Sequence, residues 1–439
     1  MILETSKRNS LYSLAFFRFV FGLLMSIALT RFILKGWISD FYQAPGFFFS
    51  YYGFSWASPP PEPFLHGAYY LLLFLAVLIA LGLFFRTAIV LFFLLFTYTE
   101  LWDKTVYLNH YYLISLLSFL MSFMPMNAVA SLDCLSNRGR GPVRKSGDFS
   151  NLLLKMQIGS VYFFGGMAKI GSDWLFLAQP LKIWLSANAH LPLIGSLLVQ
   201  PVTAYMASWL AMIFDLSAPF LLYSDRTRAW IYPVVILFHV FTALLFPIGM
   251  FPWFMCVFTL IFFHAGWHRK VMTFLFPGPR FQPAAEDRAP AATTRGLAAL
   301  FFLFQAIMPF RAWLYPGNPL WHEQGFRFSW RIMLMEKNGT VEYLVRVKET
   351  GKEFVVSPSG FLTRRQVHQM SFQPDMILQF AHYLHAFYLD SGIGDTEIRA
   401  TCYVSLNGKS SRLLIDPHTD LAAQEAGWHN KNWIIEGVD

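Results

Sequence analysis

The sequence predicts an α-helical multi-pass membrane protein, with about nine transmembrane helices and a small C-terminal α+β domain outside the membrane. The 439 residues are 55% hydrophobic and only 14% charged, with a mean hydropathy of +0.43. This composition is typical of membrane proteins. After Pro316 the apolar stretches give way to the mixed composition of a soluble domain. We therefore predict a membrane domain over residues 1–316 and an outer domain over residues 317–439.

Nine apolar stretches approach the roughly 20 residues that a membrane span needs. Most lysines and arginines between them lie in one set of alternate loops, which predicts a cytoplasmic N-terminus and an outer C-terminal domain. This distribution also explains the net charge of +8 without nucleic-acid binding. The stretches, of which the third and eighth are short, are approximately 11–34, 67–85, 87–102, 108–128, 151–170, 203–223, 227–247, 250–265 and 296–314.

Two connecting segments have distinctive compositions. Residues 35–66 form an outer loop rich in aromatic residues and proline, for which two interpretations stay open: a lid on the outer membrane surface, or an ordinary interfacial aromatic belt. Residues 278–295, with their proline and alanine content, predict a cytoplasmic linker. The three cysteines, Cys134, Cys256 and Cys402, are isolated in the sequence, so we expect neither a metal site nor a disulfide framework.

The C-terminal region contains strand, turn and helix patterns. Asn338-Gly339 between two β-rich runs predicts a hairpin turn, and Asn407-Gly408 predicts a second turn. Apolar residues alternate with polar ones from Ile398 to Leu406, which predicts a strand. Apolar residues at helical spacing from Met376 to Phe387 predict a helix that follows Pro374.

Lys169 is the most informative polar residue, because within the segment from Val161 to Trp174 it is the single lysine that ends an apolar run. An ammonium group at the edge of hydrocarbon is costly to keep charged. We therefore predict that Lys169 is a proton acceptor near neutral pH. Gly165 and Gly166, one turn earlier, would allow either close helix packing or the approach of a flat ring to the amine.

Other polar residues are predicted to gather in the outer half of the helix bundle. Asp103, Asn109 and His110 lie in and just after the outer loop before the fourth stretch, and His239 lies near the middle of the seventh. Ionisable residues in spans are functional candidates. Each also has a structural interpretation: a single residue such as His239 is more often a hydrogen-bonded core histidine, and Asp103 would most often belong to a solvated loop. A lysine base, imidazoles and an amide in a lipid-accessible pocket suit removal of a weakly acidic proton from an apolar ring, such as a hydroquinone.

Long, collinear segments of the chain resemble the vitamin K-dependent gamma-glutamyl carboxylases, which have a membrane domain of the HTTM type. The resemblance runs over nearly the whole chain. The segments are SLAFFRFVFG near Ser13, DKTVYLNHYY from Asp103 to Tyr112, Ser160 to Trp174, FDLSAPFLL from Phe214, FHVFTALLFPIGMF around His239, and WHEQGFRFSW from Trp321 to Trp330.

The resemblance implies an enzyme that oxidises reduced vitamin K with O2. The strong base that forms removes a proton from the γ-carbon of peptide glutamate, to which CO2 adds, so the enzyme would be a carbon–carbon lyase. By position, Lys169 resembles the lysine that deprotonates the hydroquinone. Asn109 and His110 resemble the pair that contacts the hydroquinone and its oxygenated intermediates. His239 resembles a further active-site histidine. Residues implied on the substrate side are Trp321, Ser329, Trp330, Asp103 and Tyr107.

The chain also departs from the animal members of this family. They carry two adjacent lysines where this chain has Ala168 before Lys169. Ala187 and Asn188 stand where an Arg-His pair linked to glutamate recognition is expected. The chain ends at Asp439, so much of the region that grips substrate propeptides is expected to be absent, and a disulfide that joins two parts of the animal enzymes has no obvious counterpart. These departures favour quinol chemistry over carboxylation of a tethered protein.

We predict a hydroquinone-dependent carboxylase and epoxidase that works in a lipid bilayer. Its cofactor would be reduced vitamin K (phylloquinol or menaquinol), with O2 and CO2 as co-substrates, a Glu-containing peptide or protein as partner, and no metal. One alternative is a quinol oxygenase that acts on another substrate without protein carboxylation. A second alternative is a non-enzymatic carrier of quinones or small acids, but the sequence lacks the paired, broken half-helices that are typical of such carriers. A third is that the polar residues have no chemical role and only hold the helices together. The compartment would be a bacterial inner membrane with a periplasmic site, or the endoplasmic reticulum in a eukaryote.

Overall fold

The computed structural model describes residues 2–135, 147–278 and 290–437 of the chain. Long apolar helices alternate with short helical segments up to residue 322. In chain order these helices are α1 (Ile2–Leu34), α2 (Trp37–Tyr42), α3 (Phe64–Leu81), α4 (Phe85–Leu101), α5 (Asn109–Ser122), α6 (Leu132–Leu135), α7 (Gly147–Ala168), α8 (Ser172–Leu175), α9 (Leu181–Ser186), α10 (Gly195–Leu198), α11 (Pro201–Tyr223), α12 (Arg228–Leu245), α13 (Phe251–Phe258), α14 (Ala265–Leu275), α15 (Ala292–Ile307) and α16 (Pro319–His322).

Five helices in the described part of the chain are long and apolar enough to cross a membrane, namely α1, α3, α11, α12 and the stretch that begins with α15. Helices α13 and α14 give a sixth candidate, bent by 113°. The prediction of nine spans is therefore not confirmed. Helices α4 and α5 have 17 and 14 residues, at and below the short end of the range of about 17–25 residues that spans have. Helix α7 contains Asn151, Lys155 and Gln157, which lower its hydropathy.

Helix α1 organises the bundle, since it packs against α3, α7 and α14. Helix α7 in turn packs against α11, and α11 lies beside α12. The bundle core is built largely of aromatic rings: Phe21 of α1 contacts Phe92 of α4 and Phe258 of α13, with ring centroids 5.8 and 6.1 Å apart. This order of packing brings α7, α11 and α12 together, and these three helices form the candidate site.

After α16 the chain forms a small antiparallel sheet with two helices, of which the sequence predicts the second. The strands are β1 (Lys337–Val347), β2 (Glu353–Val356), β3 (Thr396–Leu406) and β4 (Arg412–Leu413), in the spatial order β2-β1-β3-β4. Between β2 and β3 lie α17 (Arg364–Met370) and α18 (Pro374–Asp390). Alternate residues of β1 and β3 are buried, where rings such as Tyr343 and Phe380 pack together at 5.2 Å.

The hairpin prediction at Asn338-Gly339 is wrong. Both residues lie inside β1 and pair with β3, and the chain turns only after Val347. The glycine serves a close approach instead of a turn, because a Cβ atom on Gly339 would lie 2.4 Å from the backbone oxygen of Ser371. The turn at Asn407-Gly408 is confirmed, and its two positive φ angles of 53° and 77° are those of a type I′ turn.

The outer loop over residues 35–66 contributes to the outer domain. Phe49 is completely buried in that domain's core, and the ring of Phe47 lies 4.5 Å from that of Tyr383. Farther along the loop, aromatic side chains such as Tyr52 and Trp56 are exposed, which suits an interfacial belt. The predicted linker over residues 278–295 falls mostly on residues 279–289, which lie outside the described residues.

Buried polar contacts join the outer domain to the membrane domain. Asp375, at the start of α18, forms 2.8 Å ion pairs with Lys104 and Arg327. Asp103 accepts a 3.0 Å hydrogen bond from Gln366 of α17, and burial raises its pKa. The interpretation of Asp103 as a solvated loop residue is therefore wrong, since only 2% of its surface is exposed. The domain boundary at residues 316 and 317 stays a prediction.

Candidate active site

A large apolar cavity lies between α7, α11 and α12. Its volume is about 660 Å³, and short helices α9 and α10 and the residues Ile332 and Met333 close parts of it. Leu210 and Ile213 of α11 and Leu237 of α12 line the cavity, and more than half of the surface of each is accessible to solvent. The cavity therefore opens sideways between α11 and α12, toward the surface that lipid would cover.

Lys169 lies in the wall of this cavity and is paired with a carboxylate. Its Nζ atom is 2.8 Å from Oδ2 of Asp215 and donates a further hydrogen bond to the backbone oxygen of Gly165 at 3.2 Å. The ring of Trp174 lies 5.3 Å from the amine. Asp215 belongs to the second half of the 23-residue helix α11. Lys169 is thus buried inside the bundle, and its predicted position at the outer level of the membrane stays a prediction.

The two glycines before Lys169 have different surroundings. A Cβ atom on Gly166 would lie 2.8 Å from the backbone nitrogen of Leu216, so this glycine permits the close packing of α7 on α11. Gly165 lines the cavity, and a Cβ atom there would keep an ordinary distance of 3.9 Å from Asp215 Oδ2 and from the backbone oxygen of Trp330. Of the two alternatives for this pair, close helix packing fits Gly166, and access of a ring to the amine fits Gly165.

His239 and Tyr162 form a second polar pair in the cavity wall. Tyr162 Oη and His239 Nε2 are 2.7 Å apart, and both residues line the cavity. The other ring nitrogen of His239, Nδ1, is buried without a hydrogen-bond partner. Buried polar atoms are normally paired, so Nδ1 is available to a polar group bound in the cavity.

His110 lies behind the cavity wall. Its buried ring packs on Phe251 at 5.9 Å, and Phe251 itself lines the cavity. Asn109 contacts the junction with the outer domain instead. Its amide donates to the backbone oxygen of Arg331 at 3.2 Å and accepts from Tyr107 Oη at 3.0 Å. The structure thus brings Lys169 and His239 to one cavity, with His110 one ring away and Asn109 outside it.

The other residues predicted on the substrate side hold the junction together. Tyr107 Oη accepts a 2.8 Å hydrogen bond from the backbone of Phe328. Ser329 donates to the backbone oxygen of Gly325 at 2.6 Å, and Trp330 is completely buried. Trp321 donates from Nε1 to a backbone oxygen near the C-terminus at 2.8 Å, within the outer domain. With Asp103 bound to α17, none of these side chains lines the cavity, and their roles stay predictions.

Two residues of the cavity have no role in the sequence-based site. Tyr162 precedes Gly165 by three residues and Lys169 by seven, so all three share one face of α7. That spacing is a usable signal for Tyr162. Asp215 is recognisable only as an ionisable residue in an apolar helix, and its partner depends on how α7 and α11 pack.

The described residues contain no group of three or more His, Cys, Asp or Glu side chains that could hold a metal ion. The three cysteines are free and buried. The titratable side chains that line the cavity are those of Lys169, Asp215, His239 and Tyr162.

Two family descriptions match the chain. The HTTM domain matches residues 7–267, and the lumenal domain of vitamin K-dependent gamma-carboxylase matches residues 291–439. No solved structure matches the chain. Because these two domains cover most of the sequence, the chain belongs to the vitamin K-dependent gamma-carboxylase family, whose domains suggest a membrane-associated, vitamin K-dependent carboxylase.

Proposed function

We propose that the protein is a carbon–carbon lyase that couples oxidation of a vitamin K-type hydroquinone by O2 to carboxylation of the γ-carbon of peptide glutamate. One observation carries this proposal: an amine–carboxylate pair, Lys169 with Asp215, lies in the wall of an otherwise apolar cavity that opens to lipid. An apolar cavity favours a ring with a hydrocarbon tail, and a buried amine is suited to a weakly acidic hydroxyl.

The cavity fits a prenylated hydroquinone. Its volume of about 660 Å³ lies within the range of about 300–1,000 Å³ that small-molecule sites occupy. Its lining is mostly apolar, and Lys169, Asp215 and His239 are among its few polar groups. The sideways opening between α11 and α12 would admit a tailed ring from the bilayer.

Lys169 and Asp215 would act together on the proton of the bound hydroxyl. The pair holds one proton between Nζ and Oδ2, whether as ammonium and carboxylate or as amine and carboxylic acid. In the second form Nζ can accept the hydroxyl proton, which leaves an oxyanion on the ring to balance the positive charge on the amine, while Nζ stays hydrogen-bonded to Asp215 at 2.8 Å.

His239 would hold an oxygen of the same ring. If Tyr162 donates its hydroxyl proton to Nε2, the imidazole carries its own proton on Nδ1 and can donate it to that oxygen. Oxidation of the bound hydroquinone by O2 to the epoxide supplies the strong base that removes the γ-proton of glutamate, and CO2 then adds to the carbanion. The apolar walls keep water from reaching this base.

A second function, quinol oxidation coupled to a different substrate, is favoured by one observation. Ala187 and Asn188 are at the position where the resemblance leads us to expect an Arg-His pair. The Asn188 amide donates to the backbone oxygens of Trp184 and Leu245, at 2.9 and 3.2 Å. At this position, where the resemblance leads us to expect a cation that binds glutamate, the chain therefore has the Asn188 amide, which is hydrogen-bonded to backbone oxygens.

The test uses detergent-purified protein with reduced vitamin K, O2, labelled CO2 and a short Glu-containing peptide. Epoxide and fixed label are followed separately in the wild type, in Lys169→Ala and in a control, Lys182→Ala, whose side chain contacts Tyr205. Epoxide and label that are both lost only in Lys169→Ala would support the proposal, and epoxide without label would favour the second function. Absence of both products from folded protein would refute the quinol chemistry, and a carrier would then be tested by quinone exchange between vesicles.

We also place the outer domain and the mouth of the cavity on the periplasmic or lumenal side, with a cytoplasmic N-terminus. The loop charges support this orientation. A reporter fused after Gly437 that is active only outside the cytoplasm would test it, and cytoplasmic activity would contradict it.

A further inference from the structure

Arg331 is a half-buried residue whose guanidinium group has no anionic partner among the described residues. It follows the completely buried Trp330 and precedes Ile332, which lines the cavity. Its Nε atom is buried and has no hydrogen-bond partner. Burial lowers the pKa of Arg331, and no carboxylate among the described residues opposes this effect. A buried donor without a partner is unfavourable, so the Nε atom of Arg331 favours a polar ligand at this position.

The buried cations around Arg331 differ from it because each has a carboxylate. Arg327 pairs with Asp375 at 2.8 Å, and Lys337 pairs with Glu323 at the same distance. Lys169 has Asp215 in the cavity wall. The unpaired guanidinium is therefore not a general property of this junction.

His322 adds an unpaired donor close to Arg331. Only 5% of its surface is exposed. Its Nδ1 atom accepts a 3.0 Å hydrogen bond from the backbone of Gln324, which leaves the ring proton on Nε2; this buried atom lies near the Gly317 backbone but has no partner in good hydrogen-bond geometry. Burial, with the nearby charges of Lys337 and Arg331, lowers the pKa of His322 to about 4. His322 is thus neutral near pH 7, and Arg331 supplies the unbalanced charge.

The backbone beside Arg331 reaches the Lys169–Asp215 pair. A Cβ atom added to Gly165 would lie 3.9 Å from the carbonyl oxygen of Trp330. The backbone oxygen of the same Gly165 accepts a hydrogen bond from the Lys169 amine. Trp330 has a φ angle of 54°, which is unfavourable for a side-chain-bearing residue. Backbone strain of this kind persists where the surroundings fix it and is concentrated at functional sites.

We propose that Arg331, with the Nε2 proton of His322, binds the side-chain carboxylate of an acidic substrate at the junction between the cavity and the outer domain. A guanidinium group can hold a carboxylate through two parallel hydrogen bonds. The inference rests on the proposed function and deepens it, because the carboxylate would be that of the reacting glutamate. It would replace the cation that is missing at Ala187 and Asn188.

The test measures peptide binding without quinone and without turnover. Full-length protein in phosphatidylcholine nanodiscs is titrated with two capped peptides that differ only in one Glu or Gln. The wild type is expected to bind the Glu peptide at least about tenfold more tightly, the size of one or two charged hydrogen bonds. Arg331→Gln is expected to remove this preference, and Arg331→Lys to keep part of it. The control Arg346→Gln, at an exposed pair with Glu353, should keep all of it.

The assignment would be overturned if Arg331→Gln kept the preference for the Glu peptide. It would also be overturned if Arg331→Lys kept the full wild-type preference while the control Arg346→Gln lost it. If Arg331→Gln does not fold, Arg331→Lys decides, and a preference equal to wild type then counts against the site. Acetate binding that depends on Arg331, without a wild-type preference for the Glu peptide, would also overturn it in favour of a small-anion site. Because no quinone is present, a failure to form epoxide would refute the proposed function and leave this result unaffected.

Discussion

The adjacent glycines of α7 allow packing and chemistry to be separated. Replacing Gly166 by alanine puts a methyl group 2.8 Å from the backbone nitrogen of Leu216 and 2.9 Å from its Cγ atom, distances that force α7 and α11 apart. Overpacking of this kind costs about 1–3 kcal/mol, against a gain of about 1 kcal/mol in helix propensity for either glycine. Gly165→Ala has the same propensity gain without the clash. The two variants should therefore differ in unfolding free energy by about 1–3 kcal/mol, with Gly166→Ala less stable.

Activity should depend on the other glycine. The methyl group of Gly165→Ala projects into the cavity beside the Lys169 amine, 3.9 Å from Asp215 Oδ2, and should hinder the ring of a bound hydroquinone. Thermal unfolding in detergent gives stability, and epoxide formation per folded molecule gives activity. We expect Gly165→Ala to be stable with strongly reduced activity, and Gly166→Ala to be unstable with its activity per folded molecule largely kept. The opposite pattern would show that Gly165 does not face the reacting ring.

Three further predictions concern single polar side chains. Asp215→Asn leaves the Lys169 amine in the cavity wall without its carboxylate, which should cost about 3–5 kcal/mol of stability and abolish epoxide formation; the unfolding midpoint and the product assay check both. Tyr162→Phe removes the 2.7 Å bond to His239 and should cost about 1–3 kcal/mol, with a higher KM for hydroquinone, which a KM equal to wild type would contradict. Burial disfavours the charged form of Asp375, but its two basic partners outweigh burial and hold its pKa well below its usual range. Its stabilisation is therefore complete above the unfolded pKa of about 3.9 and is lost as pH falls below that value, so Asp375→Asn should lower the melting temperature at pH 7 and reduce its change with pH in the acid range.

The positions of the helices follow from the sequence, whereas their roles as spans do not. Each predicted apolar stretch coincides with a helix or a bent pair of helices. Hydropathy alone cannot distinguish a span from a helix buried in protein, and α4 and α5, with 17 and 14 residues, are short for a span. The Asn338-Gly339 error has a similar origin. A turn motif reports what the backbone can do locally, but Gly339 is fixed by the approach of Ser371 from a distant part of the chain.

For the candidate site, the sequence identifies residue types better than their neighbours. Lys169 and His239 stand out as ionisable groups in apolar helices, and the structure places both in one cavity. The ion pair with Asp215 depends on helix packing, which no local pattern encodes. The same holds for Asn109, whose amide is bound to the backbone of Arg331 from another part of the chain.

The outer domain is part of the cavity and not an appendage to it. Ile332 and Met333, which close the cavity, directly precede the sheet, and the Trp330 carbonyl beside Gly165 belongs to the same segment. The segment is fixed from the outer domain through Arg327 and Asp375. This segment therefore attaches the wall of the cavity to the sheet and helices that follow it in the chain.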